Sequence, residues 1–99
     1  MSPAMYILMC SDGSYYTGPT TNLEYRVAAH RMGLGGRWTS PRLPVRVVFT
    51  QDFPSLREAF EAERQIKGWS RAKKRALIEG RFDLLPGLAR NNQDDRQRR

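Results

Sequence analysis

Met5-Tyr6-Ile7-Leu8-Met9-Cys10-Ser11-Asp12-Gly13-Ser14-Tyr15-Tyr16-Thr17-Gly18 is the stretch that decides the fold. Met5–Met9 is an apolar run of strand length, Ser11-Asp12-Gly13 is a hairpin signal, and Tyr15–Gly18 is a second strand. Loop length then decides which side chains share a face. A two-residue Asp12-Gly13 loop pairs residue 9 with residue 16 and puts Tyr6 and Tyr16 on opposite faces. A three-residue loop pairs 8 with 16 and makes the two tyrosines diagonal neighbours on one face. The three-residue loop requires a left-handed residue in last place, and Gly13 supplies it. The sequence therefore predicts a three-residue, bulged hairpin with Gly13 at positive φ.

Working outward, Asn22 caps a helix over about Leu23–Met32, which Gly33-Leu34-Gly35-Gly36 stops. A loop rich in Gly, Arg, Thr, Ser and Pro runs as far as Pro44. Val45–Thr50 reads as a third strand. After Pro54, Ser55-Leu56-Arg57-Glu58 is a capping box that opens a second helix to about Lys67, ended by Gly68. Ser70 caps a third helix to about Ile78, closed by Gly80. The order is β-β-α-β-α-α. It predicts an α/β (α+β) fold, a three-stranded antiparallel sheet flanked by helices. Residues 1–85 read as a single domain. From Pro86 onward apolar residues nearly vanish, so 86–99 read as a mobile polar tail.

The chain has 99 residues, enough for one small core. Seventeen Lys+Arg stand against ten Asp+Glu, a net charge of +7. Such an excess on a small surface points to a polyanionic partner. The charge is also segregated. Residues 26–46 carry Arg26, Arg31, Arg37, Arg42 and Arg46 with no acid. Residues 64–81 carry Arg64, Lys67, Arg71, Lys73, Lys74, Arg75 and Arg81 against Glu79 alone. An acidic stretch with Asp52, Glu58, Glu61 and Glu63 lies between them. Arg37, Lys67, Arg71, Lys73 and Lys74 are the candidate nucleic-acid contacts. The alternative for Arg71–Arg75 is a solvated helix face.

A lone cysteine, Cys10, excludes a disulfide framework and a Cys-rich zinc site, and reads as a buried small hydrophobe in a cytoplasmic protein. No apolar stretch approaches the roughly 18–20 residues that span a membrane, and Met5–Cys10 is too short for a signal-peptide core. Neither a phosphate-binding loop with its lysine nor a nucleophile elbow occurs. Gly33–Gly36 opens no helix and is no dinucleotide fingerprint, so no organic cofactor is expected.

Within the second helix, Leu56, Ala59, Phe60 and Ile66 form an apolar stripe at helical spacing. Glu63 falls inside that stripe, whereas Glu58 and Glu61 lie opposite. A carboxylate aimed inward needs a partner, either an arginine or a divalent cation. On the first helix Arg26 and the only histidine, His30, are four apart and share a face.

Taken together, these residues resemble a GIY-YIG nuclease domain, over about residues 4–80. Ala4-Met5-Tyr6 corresponds to the first signature, in its tyrosine, and Tyr16-Thr17-Gly18 to the second, at both ends. Arg26 falls where the family arginine sits, and His30 at the position four residues on. Gly35-Gly36-Arg37-Trp38-Thr39 resembles the glycine-rich stretch of the family's short branch, and Glu63 falls on its metal-binding glutamate. The run from Glu63 to Lys74 resembles the small stand-alone bacterial (YhbQ/YazA-like) members. Thr17 replaces the apolar middle residue, and Pro19 stands where several nucleases carry a lysine.

The resemblance implies a metal-dependent endonuclease acting on DNA, in repair or recombination, with a single Mg²⁺ or Mn²⁺ held by Glu63. It implies Tyr16 as general base and Tyr6 placing the water. Arg26 would stabilise transition-state charge, and His30 would relay a proton or bind phosphate. The alternative is a nucleic-acid-binding protein, on DNA or structured RNA, that keeps the fold without cutting. A third reading is a partner-binding accessory protein.

Overall fold

The computed structural model describes residues 2–85. The expected tail, 86–99, lies outside the described residues. The chain divides into two compact units, one ending at Lys67 and the other beginning at Gly68.

The first unit holds a three-stranded antiparallel sheet in the order β2-β1-β3, with β1 Ala4–Met9, β2 Tyr15–Thr20 and β3 Arg46–Asp52. The apolar run is the central strand, and Ala4 to Leu8 are buried on both faces, as a continuous apolar strand requires. The hairpin has the three-residue loop. Leu8 pairs with Tyr16, Cys10 N–H donates to Ser14 O at 2.8 Å, and Gly13 has φ 84°. Tyr6 pairs with Gly18, so Tyr6 and Tyr16 are diagonal neighbours on one face. Pro19 is tolerated because β2 is an edge strand. The β1–β3 register slips by one residue between Ile7 and Leu8, a bulge.

Helix α1, Leu23–Arg31, starts where the Asn22 carboxamide accepts from Tyr25 N–H, and Gly33 at φ 80° follows its end. Leu23 packs against the core group of Tyr6, Leu8, Cys10 and Val45. Between α1 and β3 lies a 3-10 turn, Ser40–Arg42.

Helix α2, Leu56–Lys67, packs against β1 and β2. At its start Ser55 Oγ accepts from Glu58 N–H and donates to the Glu58 carboxylate. The buried face is Ala59, Glu63 and Ile66. Leu56 and Phe60, expected in the apolar stripe, are instead exposed. The face that packs on the sheet is thus rotated from the apolar stripe and runs along Ala59, Glu63 and Ile66. Glu63 thus sits near the middle of the buried face.

In the second unit, Ser70 Oγ accepts from Lys73 N–H at the start of α3, Arg71–Ile78. A 3-10 turn, Phe82–Leu84, packs back on that helix.

Candidate active site

Tyr6, Tyr16, Arg26, His30 and Glu63 come from four elements of the first unit, and Arg26 and His30 meet at the Tyr6 hydroxyl. It hydrogen-bonds His30 Nε2 at 2.8 Å, and the other ring nitrogen, Nδ1, hydrogen-bonds Thr39 Oγ1 at 2.8 Å. Tyr6, His30 and Thr39 are fully buried. The Tyr16 ring centroid lies 6.4 Å from that of Tyr6 and 5.2 Å from that of His30. Tyr16 is half-buried, so it is the one phenol of the pair that solvent reaches.

Burial, with the Arg26 charge adding to it, pushes the His30 pKa below the ordinary imidazole value. His30 is therefore a neutral ring at pH 7, with one donor and one acceptor, which suits its two hydroxyl partners. Burial likewise raises the Tyr6 pKa, against the opposing effect of the Arg26 guanidinium. Tyr6 stays a protonated phenol and cannot serve as a base near neutrality. Interaction with the Tyr6 phenol raises the pKa of Arg26, a half-buried cation that also donates from Nη2 to Gly35 O at 3.1 Å.

The sign of the histidine effect gives a first prediction. Because the folded-state pKa is depressed, unfolded chains bind the proton that folded chains refuse. Stability is thus fully present above the unfolded value of about 6.5 and is lost as pH falls below it. The melting temperature should drop between about pH 7 and pH 5. The variant His30→Gln should lack that slope, since no other histidine exists. An identical slope in both proteins would refute the neutral-histidine assignment.

Glu63 is 4% exposed, and its Oε2 has no hydrogen-bond partner. The arginine partner that was one expectation for it is absent among the described ion pairs. Instead Lys67 Nζ stands 3.4 Å from Oε2, one turn along α2, on a side chain 59% exposed. The same ammonium lies 5.8 Å from the Tyr16 ring centroid. Lys67, a candidate phosphate contact by its charge block, thus lies beside both Glu63 and Tyr16.

Two glycines shape the site. A Cβ at Gly18 would stand 2.7 Å from the Tyr6 hydroxyl and 3.2 Å from Tyr16 Cε2. A Cβ at Gly35 would fall on the His30 ring. The sequence reading passed over Thr39, Gly18 and Gly35 as site residues. Spacing alone gives no sign that Thr39 reaches the residue nine positions before it.

Of the cations assigned to nucleic acid, Arg37 and Arg71 are exposed and Lys74 is half-buried. Lys73 is buried, its ammonium 3.7 Å from the Trp69 ring centroid, so it is a packed side chain.

A family model described as the GIY-YIG catalytic domain matches residues 2–76. The chain belongs to the GIY-YIG family. Within it, the chain is 48% identical over 74 residues to a UPF0213 protein of Halobacterium salinarum, covering 75% of this chain and 96% of that one. It is 46% identical over 77 residues to a UPF0213 protein of Staphylococcus haemolyticus, covering 78% and 94%. The solution structure of a UPF0213 protein from Bacillus halodurans matches with 44% identity and a TM-score of 0.53, covering 80% of this chain and 84% of that one. A protein from E. faecalis, also solved in solution, matches with 35% identity and a TM-score of 0.56, covering 85% and 88%. These relatives are small stand-alone GIY-YIG-like proteins whose names denote no activity.

Membership makes a nuclease-type domain with a nucleic-acid substrate the expected chemistry, and GIY-YIG nucleases use divalent metal ions. The residues fit such an ion in one way. Among the described residues no group of three His, Cys, Asp or Glu side chains could cage a metal. A buried carboxylate with an unbonded oxygen suits a hard cation that keeps most of its water and shares a phosphate. No described helix is long and apolar enough to cross a membrane.

Proposed function

We propose that this protein is a divalent-metal-dependent endonuclease that hydrolyses phosphodiester bonds in DNA. The observation that carries the reading is the buried Glu63 carboxylate, hydrogen-bonded to nothing at Oε2 and set among Tyr16, Tyr6 and Lys67. A purely structural acid would have its oxygens bonded. Glu63 would hold a single Mg²⁺ or Mn²⁺, whose chemistry is neutralisation of charge on the phosphoryl oxygens.

The remaining roles follow from exposure and protonation. Tyr16, the solvent-reachable phenol, takes the proton from the attacking water. The cations Arg26 and Lys67 both lie beside its ring. Arg26 also stabilises charge that develops on the phosphate. Tyr6 and His30, buried and bonded to each other, act as positioning residues. They hold the ring against which Tyr16 packs. Arg37, Arg71 and Lys74 are the proposed backbone contacts.

One observation favours a second reading, a binding protein that does not cut. Lys67 already offers Glu63 a positive charge, so the carboxylate is not left without a counter-ion when metal is absent. A cleavage assay on labelled DNA of several structures, with Mg²⁺, Mn²⁺ or EDTA, separates the two. The proposal expects products with either metal and none with EDTA. Retention of every strand intact, with the DNA bound, would establish the second reading in its place.

A further inference from the structure

Trp38 takes no part in the arrangement above, yet it is 44% exposed and firmly held. The Arg42 guanidinium lies 3.5 Å from the Trp38 ring centroid. Arg42 Nη1 donates to the Trp38 carbonyl at 2.9 Å, and Arg42 Nε donates to Asp12 Oδ2 at 3.1 Å. The Arg42 carbonyl in turn accepts from Ser11 N–H at 2.9 Å, which ties the 3-10 turn to the hairpin loop. A half-exposed ion pair adds little stability. Its effect here is geometric, since it fixes a guanidinium against an indole.

That guanidinium covers one face of the ring, while 44% of the residue stays exposed. The next residue, Thr39, is fully buried and holds His30, so one peptide step separates the exposed indole from the hydrogen-bond chain that ends on Tyr6. Arg37 flanks Trp38 on the other side and is exposed, and no acid occurs between residues 26 and 46. A rigid aromatic face amid cations is the chemistry that recognises an unstacked base. A blunt duplex presents no free base face along its length.

We propose that Trp38, backed by Arg42, is a stacking platform for an unpaired DNA base flanking the scissile phosphate, which makes single-stranded or branched DNA the preferred substrate. The inference rests on the nuclease reading for the identity of the polymer, and binding in EDTA tests it apart from cutting.

Fluorescence anisotropy of the full chain would compare a labelled blunt duplex with the same duplex bearing a single-stranded overhang. Trp38→Ala should weaken overhang binding by roughly 5- to 150-fold, the range that stacking one base supports. It should leave duplex binding unchanged, and Trp38→Phe should restore most of the loss. Equal weakening on both DNAs, or none on either, overturns the platform while leaving the nuclease reading intact. A parent protein that binds neither DNA overturns both. Should Trp38→Ala fail to fold, tryptophan emission of a Trp69→Phe variant, in which Trp38 is the one remaining indole, decides. Stronger quenching by the overhang than by the blunt duplex supports the platform, and equal quenching removes it.

Discussion

Glu63→Gln should lower the rate of DNA cleavage on the order of 10²- to 10⁴-fold while leaving DNA binding and melting close to those of the parent protein. The rate loss follows from removing the carboxylate proposed to hold the metal; deleting a single charge-stabilising group costs about 10²–10³ in comparable sites, and a metal adds to that. The unchanged melting follows from the surroundings of Glu63. Its cationic neighbour is Lys67, whose side chain is 59% exposed, so an ammonium released from the pair returns to water. Glu63 Oε2 accepts no hydrogen bond, so no protein donor loses its acceptor there.

A buried Glu–Arg pair would behave differently. Losing one partner of such a pair costs about 3–5 kcal/mol, a fall in melting temperature of well over 10 °C for a domain of this size. Binding of the variant should be equal or slightly tighter, because a negative charge near phosphate is gone. Cleavage rates and melting curves on the same preparations check both halves. A folded variant that cuts as fast as the parent would falsify the role of Glu63, and one that fails to fold would return it to a structural part.

Much of this site is legible before any coordinates exist, because its parts obey local rules. Asp12-Gly13 sets the hairpin loop, the loop sets the register, and the register puts Tyr6 and Tyr16 on one face. Helical spacing brings Arg26 and His30 together and turns Glu63 inward. The caps at Asn22, Ser55 and Ser70 follow from hydroxyl and carboxamide chemistry one turn away. What escapes is tertiary. Leu56 and Phe60 carry the hydrophobicity of the α2 stripe, but the face that packs on the sheet runs along Ala59, Glu63 and Ile66 instead. Lys73 looks like one more cation in a basic block until Trp69 covers it. Lys67 reads as a phosphate contact by composition and as a partner of Glu63 and Tyr16 by geometry. Thr39 and Gly35 touch His30 across a loop whose path no periodicity encodes.

Gly35→Ala isolates that loop contact, and its expected effect is large: a loss of about 2–5 kcal/mol and a melting temperature lower by more than about 10 °C. The added methyl falls on the His30 ring, and no positive φ contributes to the strain at this glycine. Either the imidazole moves or the loop does. If the ring moves, the Tyr6 and Thr39 hydroxyls lose their buried partner. Should the loop move instead, the Gly35 carbonyl leaves Arg26 Nη2. The first route frees the Tyr6 hydroxyl beside Tyr16 and the second loosens Arg26, so by either one cleavage should fall with stability. Gly36→Ala is the matched control, because Gly36 has φ 134° with nothing within 4 Å of its added methyl. Its cost is that of backbone strain alone, on the order of 1–3 kcal/mol, with the Tyr6–His30–Thr39 chain intact. A double-mutant cycle separates the two causes. In a His30→Ala background the methyl at position 35 meets no ring, so Gly35→Ala should cost less there, by a coupling of roughly 0.5–3 kcal/mol. Gly36→Ala should cost the same in both backgrounds. Additive losses for Gly35→Ala and His30→Ala would mean that the glycine serves the loop rather than the histidine.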